Sequence, residues 1–198
     1  KLALLNWERN QSFNSHESSN KRPAIFTFNG DVYQGLDPYT LSSEKIEQMQ
    51  NQLRILSGLY GLLRPLDLIQ PYRLEMGANF SVGTHKNLYD FWKDKTTQQL
   101  NSEMEEGELF VNLASNEYFN VIDIKKLVAK IVTPQFKDFK NGKLKTISFF
   151  AKKARGMMVR HLVDVNAKNI EDIKAFNLGG YSYSANETIN PLKPVFTR

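Results

Sequence analysis

Four short stretches of the chain gather residue types able to move protons or grip anions. The first is Phe28-Asn29-Gly30-Asp31-Val32-Tyr33-Gln34-Gly35-Leu36, where an acid and a phenol stand between two glycines. Aspartate can accept a proton and tyrosine can donate one, and sites are often built where a buried segment gives way to a loop. A turn with glycine for backbone freedom and aspartate for capping explains the same pattern. The second stretch runs from Leu56 to Gly77 and sets Arg64, Asp67, Arg73 and Glu75 among apolar neighbours. Charges in such company need partners, so they form either ion pairs or the lining of a polar cleft. Its Gly58 to Gly61 segment faintly resembles the glycine hairpin of helix-hairpin-helix modules, although Pro65 and the spacing do not fit cleanly. The third, Asn112-Leu113-Ala114-Ser115-Asn116-Glu117-Tyr118-Phe119, has Ser115 placed to cap a helix with Glu117 in its first turn. Asn112 and Glu117 are its candidate site residues. The fourth, Ser148-Phe149-Phe150-Ala151-Lys152-Lys153-Ala154-Arg155-Gly156-Met157, loads three cations near the start of a predicted helix. Cations there oppose the helix dipole, and an anionic partner relieves the conflict. Gly156 within that helix permits close approach of a backbone or ligand.

Two kinds of site can be assembled from these residues. Asp31, Tyr33, Arg73, Glu75, Asn112 and Glu117 could line a catalytic cleft, with Asp31 and Glu75 as acid and base if the fold brings them together. Lys152, Lys153, Arg155, Arg160, Arg64 and Arg73 are instead the candidates for contact with nucleic-acid phosphates. Metal and cofactor motifs are not in evidence. His16, His85 and His161 are far apart and show none of the ligand spacings of a metal site, so packing or surface roles are expected of them. The chain has neither a Walker lysine motif nor Gly-x-Gly-x-x-Gly. No cofactor is therefore expected.

The elements that must carry these residues follow from apolar spacing and turn signals. Gln11 to Lys21 reads as a polar loop, Ala24 to Phe28 as a buried strand, and Ser42 or Ser43 as the cap of a helix bearing Ile46, Met49 and Leu53. Leu53 to Leu63 is ambiguous between helix and strand. Tyr89 to Met104 reads as an amphipathic helix and Leu109 to Leu113 as a core strand. Ile131 to Phe139 and Lys143 to Phe150 are predicted strands of a hairpin joined by Asn141-Gly142, a pair that tolerates positive φ at both positions. Ala151 to Val165 is predicted helical with Met157, Met158, His161, Leu162 and Val165 inward, followed by a short helix at Ile170 to Phe176. Tyr181 to Ser184 and Pro194 to Thr197 close with short strands. Strands and helices interleave without a βαβ rhythm, so the expected class is α+β, with a mixed sheet, packed helices and a β-hairpin in a single domain over residues 1–198.

The chain has 198 residues, of which 41% are hydrophobic and 24% charged, enough to bury roughly 70% of its unfolded surface around one core. No apolar run approaches a membrane span, and with no cysteine there is no disulfide partner and no thiolate chemistry. The formal net charge is +5, but its distribution is uneven. Residues 121–160 carry eleven Lys or Arg against two acids, a net of +9, leaving −4 for the remainder. Such a block suits a phosphate backbone, because neutralised phosphates release counterions without any sequence readout. Lys137, Lys140, Lys143 and Lys145 flank the predicted hairpin turn, where edge protection explains them as well.

The same four stretches, together with Leu53 to Gly61 and Ile147, resemble the signature blocks of the YaaA peroxide-stress family over nearly the whole chain. The resemblance implies a bacterial cytoplasmic protein that protects DNA and protein during hydrogen peroxide stress and helps limit unincorporated iron. It also implies DNA binding through a positively charged cleft with a helix-hairpin-helix element. That element corresponds to Lys1-Leu2-Ala3-Leu4-Leu5-Asn6, with Leu4 where the family has glycine. Members of the family begin further upstream, with a strand and a Ser-Pro-Ala-Lys-Thr block, so this chain is expected to be a fragment lacking that region. The first expectation is accordingly a stress protein that binds duplex or branched DNA with little sequence specificity. The alternative is an enzyme acting on a nucleotide, base or DNA through a polar cleft. Direct iron sequestration would need a carboxylate and histidine cluster that the sequence does not display.

Overall fold

The computed structural model describes residues 2–14 and 20–198; Lys1 and residues 15–19, which include His16 and the middle of the loop expected at Gln11 to Lys21, lie outside the described residues. In chain order the elements are α1 (Leu2–Gln11), β1 (Arg22–Pro23), α2 (Ala24–Thr27), α3 (Asp31–Leu36), α4 (Ser43–Gln52), β2 (Ile55–Ser57), β3 (Gly61–Leu63), β4 (Leu68–Ile69) and α5 (Leu88–Glu103). There follow β5 (Leu109–Val111), α6 (Asn116–Phe119), β6 (Lys130–Val132), β7 (Gln135–Lys140), β8 (Lys143–Lys145), α7 (Ser148–Asp164), α8 (Ile170–Lys174), β9 (Ser182–Tyr183) and β10 (Val195–Thr197). The class is α+β, with helices packed on small sheets of mixed direction. The chain groups into two units, residues 1–28, 49–103 and 115–127 in the first and 29–48, 104–114 and 128–198 in the second.

In the first unit β2 and β3 form an antiparallel hairpin in which Ile55 faces Leu63 and Ser57 faces Gly61. This resolves the Leu53 to Leu63 ambiguity toward strand, and it places Gly58 to Gly61 in a β-turn rather than between two helices. The helix-hairpin-helix likeness there does not hold. Nor is Lys1 to Asn6 a hairpin over its described part, since Leu2–Gln11 is helical. Ala24 to Phe28, expected as a strand, instead forms one helical turn after the two-residue β1. Phe28 N–H donates to the Ala24 carbonyl at 3.1 Å, and the Ala24 and Ile25 N–H groups, orphaned at a helix start, are taken by the Asp67 and Pro65 carbonyls. α5 is the amphipathic helix read from spacing. Its Trp92 Nε1 donates to the Gly58 carbonyl at 2.9 Å, fastening the helix to the β2–β3 turn.

The second unit is built on a four-stranded sheet in the order β8-β7-β10-β9, with β7 and β10 parallel and the outer pairs antiparallel. Asn141 (φ 54°) and Gly142 (φ 73°) make the tight turn between β7 and β8, as predicted. The predicted strand Ile131 to Phe139 is broken, however. Residues 130–132 pair in parallel with β5, and past Thr133-Pro134 the chain moves to pair with β10. Pro134 has no N–H for a ladder, while the Thr133 and Gln135 N–H groups turn to the Leu192 and Pro194 carbonyls. The second hairpin strand also ends early, at Lys145, because α7 starts at Ser148. Ala151, Ala154 and Met158 of α7 pack with Phe136, Ile173, Phe176, Tyr181 and Phe196 into the core of this unit. Val165, expected inward, is 47% exposed just beyond the helix.

Missing from the sequence reading was α3. It lies against α7 at backbone contact distance. A Cβ on Gly35 would stand 2.0 Å from the Lys153 carbonyl oxygen, and one on Gly156 would stand 1.8 Å from that of Val32. Only glycine at both positions allows this crossing.

Candidate functional site

The second unit holds Asp31, Tyr33, Asn112, Lys152, Lys153, Arg155 and Arg160; the first holds Arg64, Arg73, Glu75 and Glu117. On α3, Asp31 occupies the first turn, where a carboxylate suits the dipole. Asn112 is buried, and its side-chain oxygen accepts from the Ala114 N–H at 3.0 Å, closing the turn after β5. Structural work thus accounts for Asn112.

Arg160, on α7, is held at the end of α3. Its Nη1 donates to the Asp37 carbonyl at 3.2 Å and to Thr40 Oγ1, and its Nε lies 3.6 Å from Asp164. Asp37 caps α3 in the left-handed region at φ 49°, and Arg160 also reaches the Leu36 carbonyl at the helix end, at 3.4 Å. Lys152 and Lys153 are exposed. Arg155 is half-buried, burial lowers its pKa, and no carboxylate meets it among the described residues. A guanidinium partly stripped of water without a counter-ion is a ready anion partner. α7 has no side-chain cap and no acid in its first turn.

Part of the +9 block is neutralised by carboxylates. Lys126 pairs with Asp94 at 3.1 Å, and Lys137 with Glu187 at 3.1 Å. From Lys140 to Arg155, by contrast, there are six cations and no acid, and none of the six is ion-paired among the described residues. Lys143 and Lys145 lie on β8, the sheet edge, as expected of edge-protecting lysines.

The first unit places its arginines against acids. Arg64 Nη2 is 3.5 Å from Glu103, and Arg73 Nε donates to Glu75 at 2.8 Å, both ends of that pair being about half exposed. Asp67 accepts from the Arg64 N–H at 2.7 Å and closes a turn. Glu117 accepts from the Gly77 N–H at 3.1 Å, so it is brought to the segment that holds Arg73 and Glu75. Around these acids stand hydroxyls that sequence reading passed over. Ser57, fully buried, lies 2.6 Å from the Tyr72 hydroxyl, and the Tyr72 ring meets those of Phe28 and Tyr60 edge to face. Burial pushes the Tyr72 phenol up to about 12, against the lowering pull of Ser57. Tyr118 is raised by burial and by the charges of Glu117 and Glu75, and Tyr89 by burial and Glu117. These phenols stay protonated near neutrality and act as hydrogen-bond donors rather than bases. Their clustering in sequence stretches already rich in polar residues was the only available signal.

Among the described residues, no group of three or more His, Asp or Glu is placed to hold a metal ion. His161 packs in the second unit, its Nε2 2.8 Å from the Asp172 carbonyl and its ring edge to face with Phe176. No helix among the described residues is long and apolar enough to cross a membrane.

The family model described as peroxide stress protein YaaA matches residues 1–187. A UPF0246 protein of Flavobacterium johnsoniae is 59% identical over 187 residues, covering 94% of this chain and 74% of that protein. One from Flavobacterium psychrophilum is 59% identical over 186 residues, covering 93% and 74%. One from a Marinomonas species is 51% identical over 199 residues, covering 100% and 76%. The chain therefore belongs to the YaaA family of peroxide stress proteins.

Proposed function

We propose that this chain serves the peroxide stress response in the cytoplasm by binding DNA, duplex or branched, through the cationic face of its second unit. The run of six unpaired cations from Lys140 to Arg155 carries the reading. Phosphate contact there needs no base readout, and Arg155 gains the counter-ion it lacks. Arg64, Arg73 and Arg160 are already engaged by acids or carbonyls, so they contribute less. The link to unincorporated iron is indirect in this reading: DNA covered by protein is shielded from iron-derived oxidants. Charge reversal at Lys152, Lys153 and Arg155 should weaken duplex binding and flatten its dependence on salt, read by fluorescence anisotropy across a salt series. Unchanged affinity and slope would discard the assignment. The Ser57, Tyr72, Tyr118 and Glu117 cluster favours a second reading, an enzyme or binding site for a nucleotide or base in the first unit. Thermal shift with a panel of nucleotides tests it, and Glu117→Gln should abolish any shift found.

A further inference from the structure

The cationic run also exposes aromatic rings. Phe139 is 69% exposed, Phe149 53% and Phe150 37%. Edge protection accounts for lysines on β8, but it gives no reason for a bare phenylalanine on the adjoining strand. Phe139 lies opposite Leu144 across the hairpin, and Lys140 opposite Lys143. Arg198 ties the hairpin to the start of α7. Its Nη2 lies 2.7 Å from Asp138, the cross-strand partner of Lys145, and its guanidinium sits 4.4 Å from the centre of the Phe150 ring. Phe150 in turn meets Phe149 edge to face at 5.7 Å. Lys152 and Lys153 follow Phe149 at i+3 and i+4, on the same flank of the helix. Phe149, Lys152 and Lys153 therefore share one flank of α7, whereas Phe139, alternating along β7 with the buried Phe136 and Asp138, faces the other side of the sheet.

We propose that the flank of α7 bearing Phe149 binds single-stranded nucleic acid, with an unpaired base stacking on Phe149 and phosphates running past Lys152 and Lys153. The proposal rests on the DNA-binding reading above and narrows its ligand. A duplex hides the faces of its bases, so an exposed ring gains by stacking only where bases are unpaired. An anionic membrane would also attract the lysines. Insertion into headgroups needs a continuous apolar stripe, however, and beyond Phe149 and Phe150 the apolar residues Ala151, Ala154 and Met158 of α7 are committed to the core.

The test is anisotropy of the 198-residue chain with a short labelled oligothymidylate and with a blunt duplex of equal length. Oligothymidylate should bind more tightly than duplex. Phe149→Ala should weaken it roughly tenfold, while duplex affinity stays within about twofold and Phe149→Trp keeps the single-strand affinity. Because Phe149 is more than half exposed, its replacement leaves the fold in place, and a melting curve of each variant checks this. Equal binding of both DNAs, or equal loss for both in Phe149→Ala, overturns the single-strand assignment and leaves the DNA-binding reading standing. Failure of both DNAs to bind removes both. Binding to phosphatidylserine vesicles with none to oligothymidylate overturns it in favour of a lipid surface.

Discussion

Glu103 shows how a single residue of the first unit converts charge into stability. It closes α5 and receives the Arg54 Nε, with Arg64 Nη2 at 3.5 Å and Gln99 Nε2 at 3.2 Å. Burial works to raise its pKa, but the hydrogen bonds from Arg54 and Gln99 and the two positive charges outweigh it and hold the carboxyl below its ordinary value. A lowered folded pKa contributes stability that is fully present above the unfolded carboxylate range, near pH 4.3, and that is lost as pH falls through the folded value. Glu103→Gln should therefore destabilise the protein at pH 7 by about 1–2 kcal/mol, and chemical denaturation should show the gap closing in acid. A gap that persists unchanged below pH 4 would assign the loss to packing instead. The need for partners was legible from Arg64 lying among apolar residues. The partner was not, because Glu103 follows it at long range and charge type alone does not select one acid among many.

At the scale of elements, the α3–α7 crossing is where local preference and tertiary packing disagree most. Asp31–Leu36 contains glycine and lasts six residues, too short to hold itself helical in water. Its local sequence therefore reads as a turn, and the helix exists because α7 supplies a surface at backbone distance. Gly156 was recognisable as a close-approach residue; its counterpart Gly35 was not, since nothing local tells a packing glycine from a turn glycine. Alanine normally stabilises a helix interior relative to glycine by about 0.5–1 kcal/mol. Here the sign should reverse. Gly156→Ala places a Cβ 1.8 Å from the Val32 carbonyl, a backbone atom that cannot step aside, so we expect a loss of about 3 kcal/mol or more in urea denaturation. A neutral or stabilising Gly156→Ala would mean that the two helices are not in backbone contact. Elsewhere the structure follows local signals, as in the Asn141-Gly142 turn and the Ser115 cap, whose Oγ accepts from the Tyr118 N–H at 3.5 Å. Local signals mislead where pairing is distant. β6 finds β5 and β7 finds β10, and no local feature of Ile131 to Phe139 marks that exchange except Pro134.

For the whole molecule, the question is whether net charge or its placement governs association with an anion. Total charge is +5, and long-range steering depends chiefly on that sum. Contact with phosphates depends instead on cations that are not already neutralised, and the fold distributes these unevenly. Lys126 and Lys137 have carboxylates within 3.1 Å, whereas Lys140, Lys143 and Lys145 have none among the described residues. Two triple variants separate the effects, because Lys140, Lys143 and Lys145 to Gln and Lys125, Lys126 and Lys137 to Gln remove the same three charges. If steering by the sum dominates, both should slow association with duplex DNA equally. If placement dominates, only the hairpin variant should lose affinity, and its log–log salt slope should fall by about one for each phosphate contact removed. The unpaired run from Lys140 to Arg155 argues for the second outcome, and equal slopes for the two variants would move the phosphate contacts off the hairpin.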